Sequence, residues 1–297
     1  MTDQADQDGG MGRPNVARIY DYLLGGKDHF AVDREAAQRL LAALPNAAVM
    51  ARANRAFLAA AVRHVARAGI TQYLDIGAGL PTSPSVHESA RAIVPGARVA
   101  YVDSDPLAVS QSRPLLAAGD GVVAIEGDAR EPEAILAHPE LAGVIDLTEP
   151  VCLLLVSVLH FFTADETDMI VGVLRRRLVG GSYLIISQGS VDPADHEGVD
   201  GGVHDGVRGG VRGGVQGAYG RGVTLTGRTA AEIAAYFDGF DLVPPGLVPV
   251  ADWTAAQPDV VPAASAGRSG LAAQSDSAAQ SDSPLAGMLA GVGRKRT

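Results

Sequence analysis

The sequence predicts an α/β fold: a doubly wound, mostly parallel sheet of seven strands with an N-terminal helical extension. Three observations carry that expectation. Strand-length apolar runs alternate with helical periodicities between residues 72 and 188, the pattern of repeated β-α-β units. The run VCLLLVS at 151–157 has no polar alternation, as expected of a central strand covered on both faces. The first apolar strand ends in Gly77-Ala78-Gly79, a turn that lets a strand give way abruptly to a helix.

Residues 1–13 are polar and acidic and are expected to be disordered. Residues 14–69 form the N-terminal extension, with a helical segment over 14–44 broken at Gly25-Gly26 and a second helix over 51–68. In the second, Phe57, Leu58, Ala61, Val62 and Val65 recur at helical spacing, with Arg55, Arg63 and Arg67 among the polar positions. Tyr20, Tyr22, Lys27, Asp28, His29 and Phe30 cluster around the double glycine, so the extension reads as a lid over a ligand, against the alternative of a plain helix hairpin.

Strands are expected at 72–76, 98–103, 122–126, 151–157 and 182–188, and helices at 83–93, 106–117, 132–138 and 164–178. Residues 189–222 form a glycine-rich insert containing the near-repeat GGVHDGVRGGVRGGVQG at 201–217. Glycine on this scale carries a large ordering entropy, and the insert reads equally as a mobile lid or as an expanded repeat without a role. A helix at 229–237 and two short strands near 240–243 and 246–250 would close the sheet as an antiparallel hairpin. The ligand-binding domain then spans 70–254, and 255–297, rich in Ala, Ser and Gly, is expected to be a disordered tail.

With 297 residues, 47% of them hydrophobic, the chain can bury one large core but not two full domains. A formal net charge of −10 disfavours general nucleic-acid binding, which needs clustered Lys and Arg. Cys152 is the sole cysteine, which rules out an intramolecular disulfide or a cysteine zinc cluster and fits a reducing, cytoplasmic setting. The N-terminal residues lack the basic start and apolar core of a secretion signal. The apolar stretch over 145–162 contains Asp146, Glu149 and His160, so no membrane span is expected.

Gly77 and Gly79 leave no Cβ between the main chain and a ligand, and the second strand ends in Asp103, followed by Ser104. Asp103 would accept from two ribose hydroxyls. The third strand runs into Asp128 and Ala129, an acid that can accept from an adenine amino group and an N–H that can donate to the ring. Nicotinamide dinucleotides, flavin dinucleotides and S-adenosyl-L-methionine all use such an arrangement. A dinucleotide fingerprint needs a third glycine where this chain has Thr82. Asp75, beside the turn, would repel a pyrophosphate and attract the ammonium of a methionine moiety. The charge pattern therefore favours S-adenosyl-L-methionine. A nicotinamide-dependent oxidoreductase, supported by Asp103 and opposed by Thr82 and Asp75, is the second reading, and a non-catalytic module that senses the cofactor is the third.

On these residues the chain resembles the class I S-adenosylmethionine-dependent methyltransferases over about residues 70–190. It is similar over about 14–253 to an actinobacterial methyltransferase family of unknown substrate, the domain of unknown function 574 type. The second resemblance rests on PNVARIYDYLLGGKD at 14–28, AVDR at 31–34, NRAF at 54–57, LDIGAGLPT at 74–82, VHE at 86–88, YVDSDP at 101–106 and LHF at 159–161. The resemblance implies a Rossmann-like sheet, S-adenosyl-L-methionine as cofactor and methyl transfer to a small-molecule acceptor. It implies a cofactor-binding set of Asp75, Gly77, Ala78, Gly79, Asp103, Ser104, Asp128, Ala129, Ser157 and His160. Pro81 departs from the third glycine that many class I members carry.

Transfer from a sulfonium is an in-line displacement that needs a positioned acceptor and excluded water, with no covalent enzyme intermediate. Where the acceptor must lose a proton, His29, His87 and His160 are the candidate bases, with Asp28 and Tyr20 as orienters, and His160 at the end of the fourth strand is preferred. His87 and Glu88 are adjacent and point to different helix faces, so no metal site is expected.

Overall fold

The computed structural model describes residues 12–116, 121–191, 219, 225–257 and 287–297. Three helices come first: α1 (Val16–Leu24), α2 (Ala31–Ala43) and α3 (Ala47–Arg67). Asn15 caps α1 by accepting from the Arg18 N–H, and Gly25, in the left-handed conformation at φ 83°, ends it. Asp33 of α2 is completely buried and accepts from the Asn15 N–H (2.9 Å), the Phe30 N–H (2.8 Å) and Arg18 Nε (2.7 Å). The helix is interrupted at Gly25-Gly26 as expected, with the Gly26 N–H donating to the Asp21 carbonyl and the Asp28 N–H to Asp21 Oδ2 (both 2.9 Å). α3 lays Phe57, Ala61, Val62 and Val65, all fully buried, against the sheet.

Five parallel strands follow: β1 (Gln72–Ile76), β2 (Arg98–Asp103), β3 (Val122–Glu126), β4 (Cys152–Val156) and β5 (Tyr183–Ser190), in the order β3-β2-β1-β4-β5. Between them run α4 (Val86–Arg91), α5 (Pro106–Leu116), α6 (Pro132–Leu136), α7 (Pro139–Ala142) and α8 (Ala164–Arg177). Alternate strand residues serve opposite cores. Leu74, Leu153 and Leu184 pack with Ile170 and Leu174 of α8 on one face, and Tyr73, Cys152, Leu154 and Ile185 pack with α3 on the other. Double coverage is why β4 reads as uniformly apolar.

The C-terminal part differs from the sequence expectation. The described sheet has eight strands, because β8 (Gly287–Lys295) lies antiparallel to β5, from Tyr183 opposite Arg294 to Ser190 opposite Gly287. The two short strands, β6 (Phe240–Leu242) and β7 (Val248–Pro249), do not form a hairpin with each other; both pair with β8. Between β5 and β6 lies α9 (Ala230–Ala235), and after β7 comes α10 (Val250–Ala255), whose Trp253 is fully buried edge-on to Phe57 at 5.3 Å. The disordered tail expected over 255–297 is thus wrong for 287–297, and the domain does not end at 254.

The reason is steric. Gly291 and Gly293 read as breakers, yet they make room for aromatic rings, since a Cβ on Gly293 would sit 2.8 Å from Phe237 and 3.0 Å from Phe240. Lys295 Nζ then donates to the Arg175 and Leu178 carbonyls (2.8 and 2.6 Å), closing the end of α8.

Of the other expectations of disorder, residues 1–11 and 258–286 lie outside the described residues. Arg13 does not fit the expectation for 1–13, since its carbonyl accepts from Arg18 Nη2. The insert expected over 189–222 also begins too early, because Gly189 and Ser190 belong to β5. Its remainder, except Val191 and Tyr219, lies outside the described residues. No described helix is long and apolar enough to cross a membrane.

Gly293→Val should drive methyl groups into Phe237 and Phe240 and lower stability by about 1–3 kcal/mol, the range for overpacking. Urea unfolding measures this, and an unchanged midpoint would contradict the placement of β8.

Candidate functional site

Strand order reverses between β1 and β4, and the crevice outside such a switch point is where open α/β sheets bind ligands. Here the ends of β1 to β4, with α1–α3 beyond them, line one cavity of about 850 Å³. That lies near the upper end of the roughly 300–1,000 Å³ typical of small-molecule sites. All ten residues named from the sequence line it: Asp75, Gly77, Ala78, Gly79, Asp103, Ser104, Asp128, Ala129, Ser157 and His160.

The glycine turn is held from below. Gly77 and Gly79 have φ of 75° and 66°, the Gly77 and Ala78 N–H groups donate to the Val102 carbonyl (2.8 and 3.1 Å), and the Gly79 N–H donates to Asp103 Oδ2 (2.7 Å). Asp103 Oδ1 accepts from the Asp105 N–H (2.9 Å). Both oxygens of Asp103 are therefore engaged by protein, and each retains a second acceptor position for a ligand. Burial pushes the Asp103 carboxyl above its usual range, against the pull of these amides.

Asp75 is buried, and burial pushes its pKa up to about 7; Arg55 opposes the rise and Asp103 adds to it. Arg55, from α3, donates through Nη2 to the Thr82 and Pro84 carbonyls (both 2.9 Å), while its buried Nε has no partner. Asp128 is gripped by Arg130 through Nε and Nη2 (3.0 and 2.7 Å), and this hydrogen bonding holds its carboxyl below the usual range.

Ser157 is the only described non-glycine residue with positive φ, at 58°, a conformation that costs about 1–3 kcal/mol and needs support. Its N–H donates to the Ser187 carbonyl and Oγ (both 3.0 Å). Ser187 Oγ donates to Asn54 Oδ1 (2.7 Å), Asn54 Nδ2 to the Tyr20 hydroxyl (3.0 Å), and that hydroxyl to the Ala51 carbonyl (3.1 Å). One polar chain thus joins β4, β5, α3 and α1.

A family model described as S-adenosyl methyltransferase matches residues 2–296. The chain belongs to this family. A putative methyltransferase from Thermobifida fusca YX is 34% identical, with 99% of each chain covered and a TM-score of 0.77. A DUF574 family protein from Streptomyces avermitilis MA-4680 is 33% identical, with 97% of this chain and 99% of that one covered and the same TM-score, 0.77. No curated protein matches.

S-adenosylmethionine is therefore the cofactor, and the nicotinamide and non-catalytic readings of the sequence are set aside. The lining of the methyltransferase cavity fits it. Five carboxylates, Asp21, Asp75, Asp103, Asp105 and Asp128, face two guanidiniums, Arg55 and Arg130, among the described residues. Such a field suits a sulfonium and an ammonium and repels a pyrophosphate.

The methyltransferase's three candidate bases separate cleanly. His29 packs on Tyr22 with ring centres 5.1 Å apart and bonds to the Gly26 carbonyl, outside the cavity. His87 bonds through Nδ1 to the Tyr101 hydroxyl (2.9 Å) beside a smaller cavity of about 310 Å³ that adjoins the main one at Arg55, Asp75 and Gly79. Only His160 lines the main cavity. It sits on the 3-10 turn Leu159–Phe161, its Nδ1 is buried without a partner, and burial pulls its pKa down to about 4. The ring is therefore neutral at pH 7. The expected orienters do not serve it: the Tyr20 hydroxyl is bonded to Asn54 and Ala51, and Asp28 does not line the cavity. Among the described residues no group of acids, cysteines and histidines could hold a metal ion.

The sequence reading missed Arg55, Asn54 and Asn15 as site residues. Asn15 Nδ2 donates to Asp105 Oδ2 (2.7 Å), fastening the start of α1 to the loop after β2. Asn15, Asn54 and Arg55 all fall within the segments that carried the resemblance, the signal that could have found them.

A Cβ on Gly77 would lie 2.4 Å from Val158 Cγ2 at a φ that L residues resist. Gly77→Ala should cost about 1–3 kcal/mol and weaken S-adenosylhomocysteine binding in calorimetry. Wild-type affinity would mean that the turn is not part of the cofactor site.

Proposed function

We propose that this methyltransferase passes the methyl group to a small-molecule acceptor held between the strand ends and the roof formed by α1–α3. The supporting observation is the continuity of the cavity, which runs from the carboxylates at the strand ends to Leu40, Leu44 and Met50 beneath the roof. S-adenosylmethionine, when bound, supplies a methyl carbon made electrophilic by the sulfonium. The protein's work is to bind, to orient and to keep water out.

Asp103 accepts from ribose hydroxyls, Asp128 and the Ala129 N–H read the adenine edge, and Ser104 completes the ribose end. The turn Gly77-Ala78-Gly79 gives close backbone approach. Asp75 receives the ammonium, and Arg55 stands beside it on the cavity wall. Ser157 and His160 stand after the end of β4 on the cavity wall, and the neutral imidazole serves as the base for an acceptor that must lose a proton. No covalent enzyme intermediate is needed.

Asp103→Ala should weaken S-adenosylhomocysteine binding about 100-fold or more, from the loss of charge-assisted hydrogen bonds; unchanged affinity in calorimetry would refute the assignment. The pH dependence follows from Asp75, whose folded pKa of about 7 lies above the ordinary 3.8. With the carboxyl protonated in the folded protein and ionised in the unfolded chain, Asp75 costs the free protein stability as pH rises from about 4 to 7. An ammonium ligand needs the ionised form, so affinity should rise about tenfold between pH 6 and pH 8. Asp75→Asn should flatten that profile, and a wild-type profile already flat would remove Asp75 from the role.

A further inference from the structure

The chain leaves β4 through one left-handed residue, and whatever holds that residue also packs the glycine turn. At φ 58° Ser157 places a Cβ where backbone crowding disfavours one, a conformation that persists only where neighbours impose it. The next residue lies on the glycine turn: a Cβ on Gly77 would sit 2.4 Å from Val158 Cγ2 and 2.8 Å from Val158 Cβ, so the valine rests on bare glycine backbone. The step from Ser157 to Val158 therefore seats the turn Gly77-Ala78-Gly79 from the β4 side.

The hydrogen bonds behind Ser157 have one self-consistent direction. Its N–H lies 3.0 Å from both the carbonyl and Oγ of Ser187, so Oγ accepts and its own proton points elsewhere. That proton goes to Asn54 Oδ1 (2.7 Å), which leaves Asn54 Nδ2 to donate to the Tyr20 hydroxyl (3.0 Å). The hydroxyl, accepting there, donates to the Ala51 carbonyl (3.1 Å). Ser187 and Asn54 are almost wholly buried, so bulk water does not reach them to replace a missing member. Tyr20 belongs to α1, whose Ala17 also borders the turn, 3.7 Å from where a Cβ on Gly79 would stand. Thus α1 meets the glycine turn twice, directly at Ala17 and remotely through Tyr20.

We infer that Asn54 and Tyr20 are positioning residues of the cofactor site: by fixing the direction of the Ser187 hydroxyl they keep Ser157 left-handed, and through Val158 they hold the glycine turn in its ligand-binding shape. The inference rests on the place given to that turn in the function proposed above. Cofactor affinity then depends on the docking of α1, and neither residue has to touch the cofactor for this. Without Asn54 Oδ1 the Ser187 hydroxyl is free to rotate and the Ser157 N–H loses its second acceptor. The backbone then relaxes towards the negative φ that a serine prefers, carrying Val158 off Gly77. A glycine has no such preference.

A double-mutant cycle on the full chain tests this, with S-adenosylhomocysteine affinity measured by calorimetry and folding checked by thermal unfolding. Asn54→Ala should weaken binding about tenfold in the wild-type background and less than about twofold in the Ser157→Gly background, where the conformation needs no holding. Tyr20→Phe, which keeps the ring and removes the hydroxyl, should weaken binding about threefold, again only in the wild-type background. It carries the test should Asn54→Ala fail to fold. Equal losses in both backgrounds would make Asn54 and Tyr20 ordinary contact or packing residues and overturn the inference, as would wild-type affinity in both variants. Loss of binding in Ser157→Gly alone would place the requirement on the serine side chain and not on its conformation, and would overturn it too. Gly77→Ala separates the two readings. Unchanged affinity there removes the turn from the cofactor site, whereas a loss there with equal losses in the cycle overturns the positioning role alone.

Discussion

The roof of this site depends on one buried carboxylate. Asp33 has no exposure to water, a position that costs several kcal/mol unless the charge is paired and its lone pairs are filled. Arg18, Asn15 and Phe30 fill them, and in doing so they fix where α1 begins and how the chain turns into α2. Asn15 is the residue whose side chain reaches Asp105, and Tyr20, further along the same helix, is the one that reaches Asn54. The ion pair Arg18–Asp33 is thus joined through α1 to the loop after β2 and, by way of Ser187, to Ser157 at the end of β4. Removing either partner would leave a buried charge uncompensated, and the loss would spread to the cavity.

Beneath that roof the electrostatics are lopsided. Acids outnumber guanidiniums around the cavity, and Asp75 and Asp103 are held near each other in surroundings that raise both pKa values. The free protein therefore holds an unfavourable charge distribution that a cationic ligand relieves. With the cofactor placed as proposed, S-adenosylhomocysteine, which has lost the sulfonium charge, is held less well by that field than S-adenosylmethionine.

Much of the sheet was legible because β1, β2, β4 and β5 are buried on both faces or end in acids and glycines with a steric reason to be there. The ten cavity-lining residues could be named because their positions follow from strand ends, which local pattern sets. β8 could not be read that way, since its glycines are explained only by the ring of Phe237 and the Cβ of Phe240, contributed from some fifty residues earlier. Asn54, Arg55 and Asn15 sit on or beside helices where polar residues are ordinary, and only tertiary juxtaposition turns them toward the cavity. His160 was preferred for its place after β4; the structure adds the physical distinction, a sealed nitrogen without a partner.

The position of β8 also orders the events of folding. β5 pairs residues 183–190 with 287–294, so in a chain made from its N-terminus one edge of β5 waits for about 100 further residues. At synthesis rates of roughly 5–20 residues per second the wait is on the order of 5–20 s. Throughout it, the apolar segment Tyr183-Leu184-Ile185-Ile186 presents open backbone donors and acceptors on that edge, a template for pairing with other chains. Such long-range closure also slows folding itself. For this molecule the interval before the last strand docks is the one in which self-association competes most strongly with completion of the sheet.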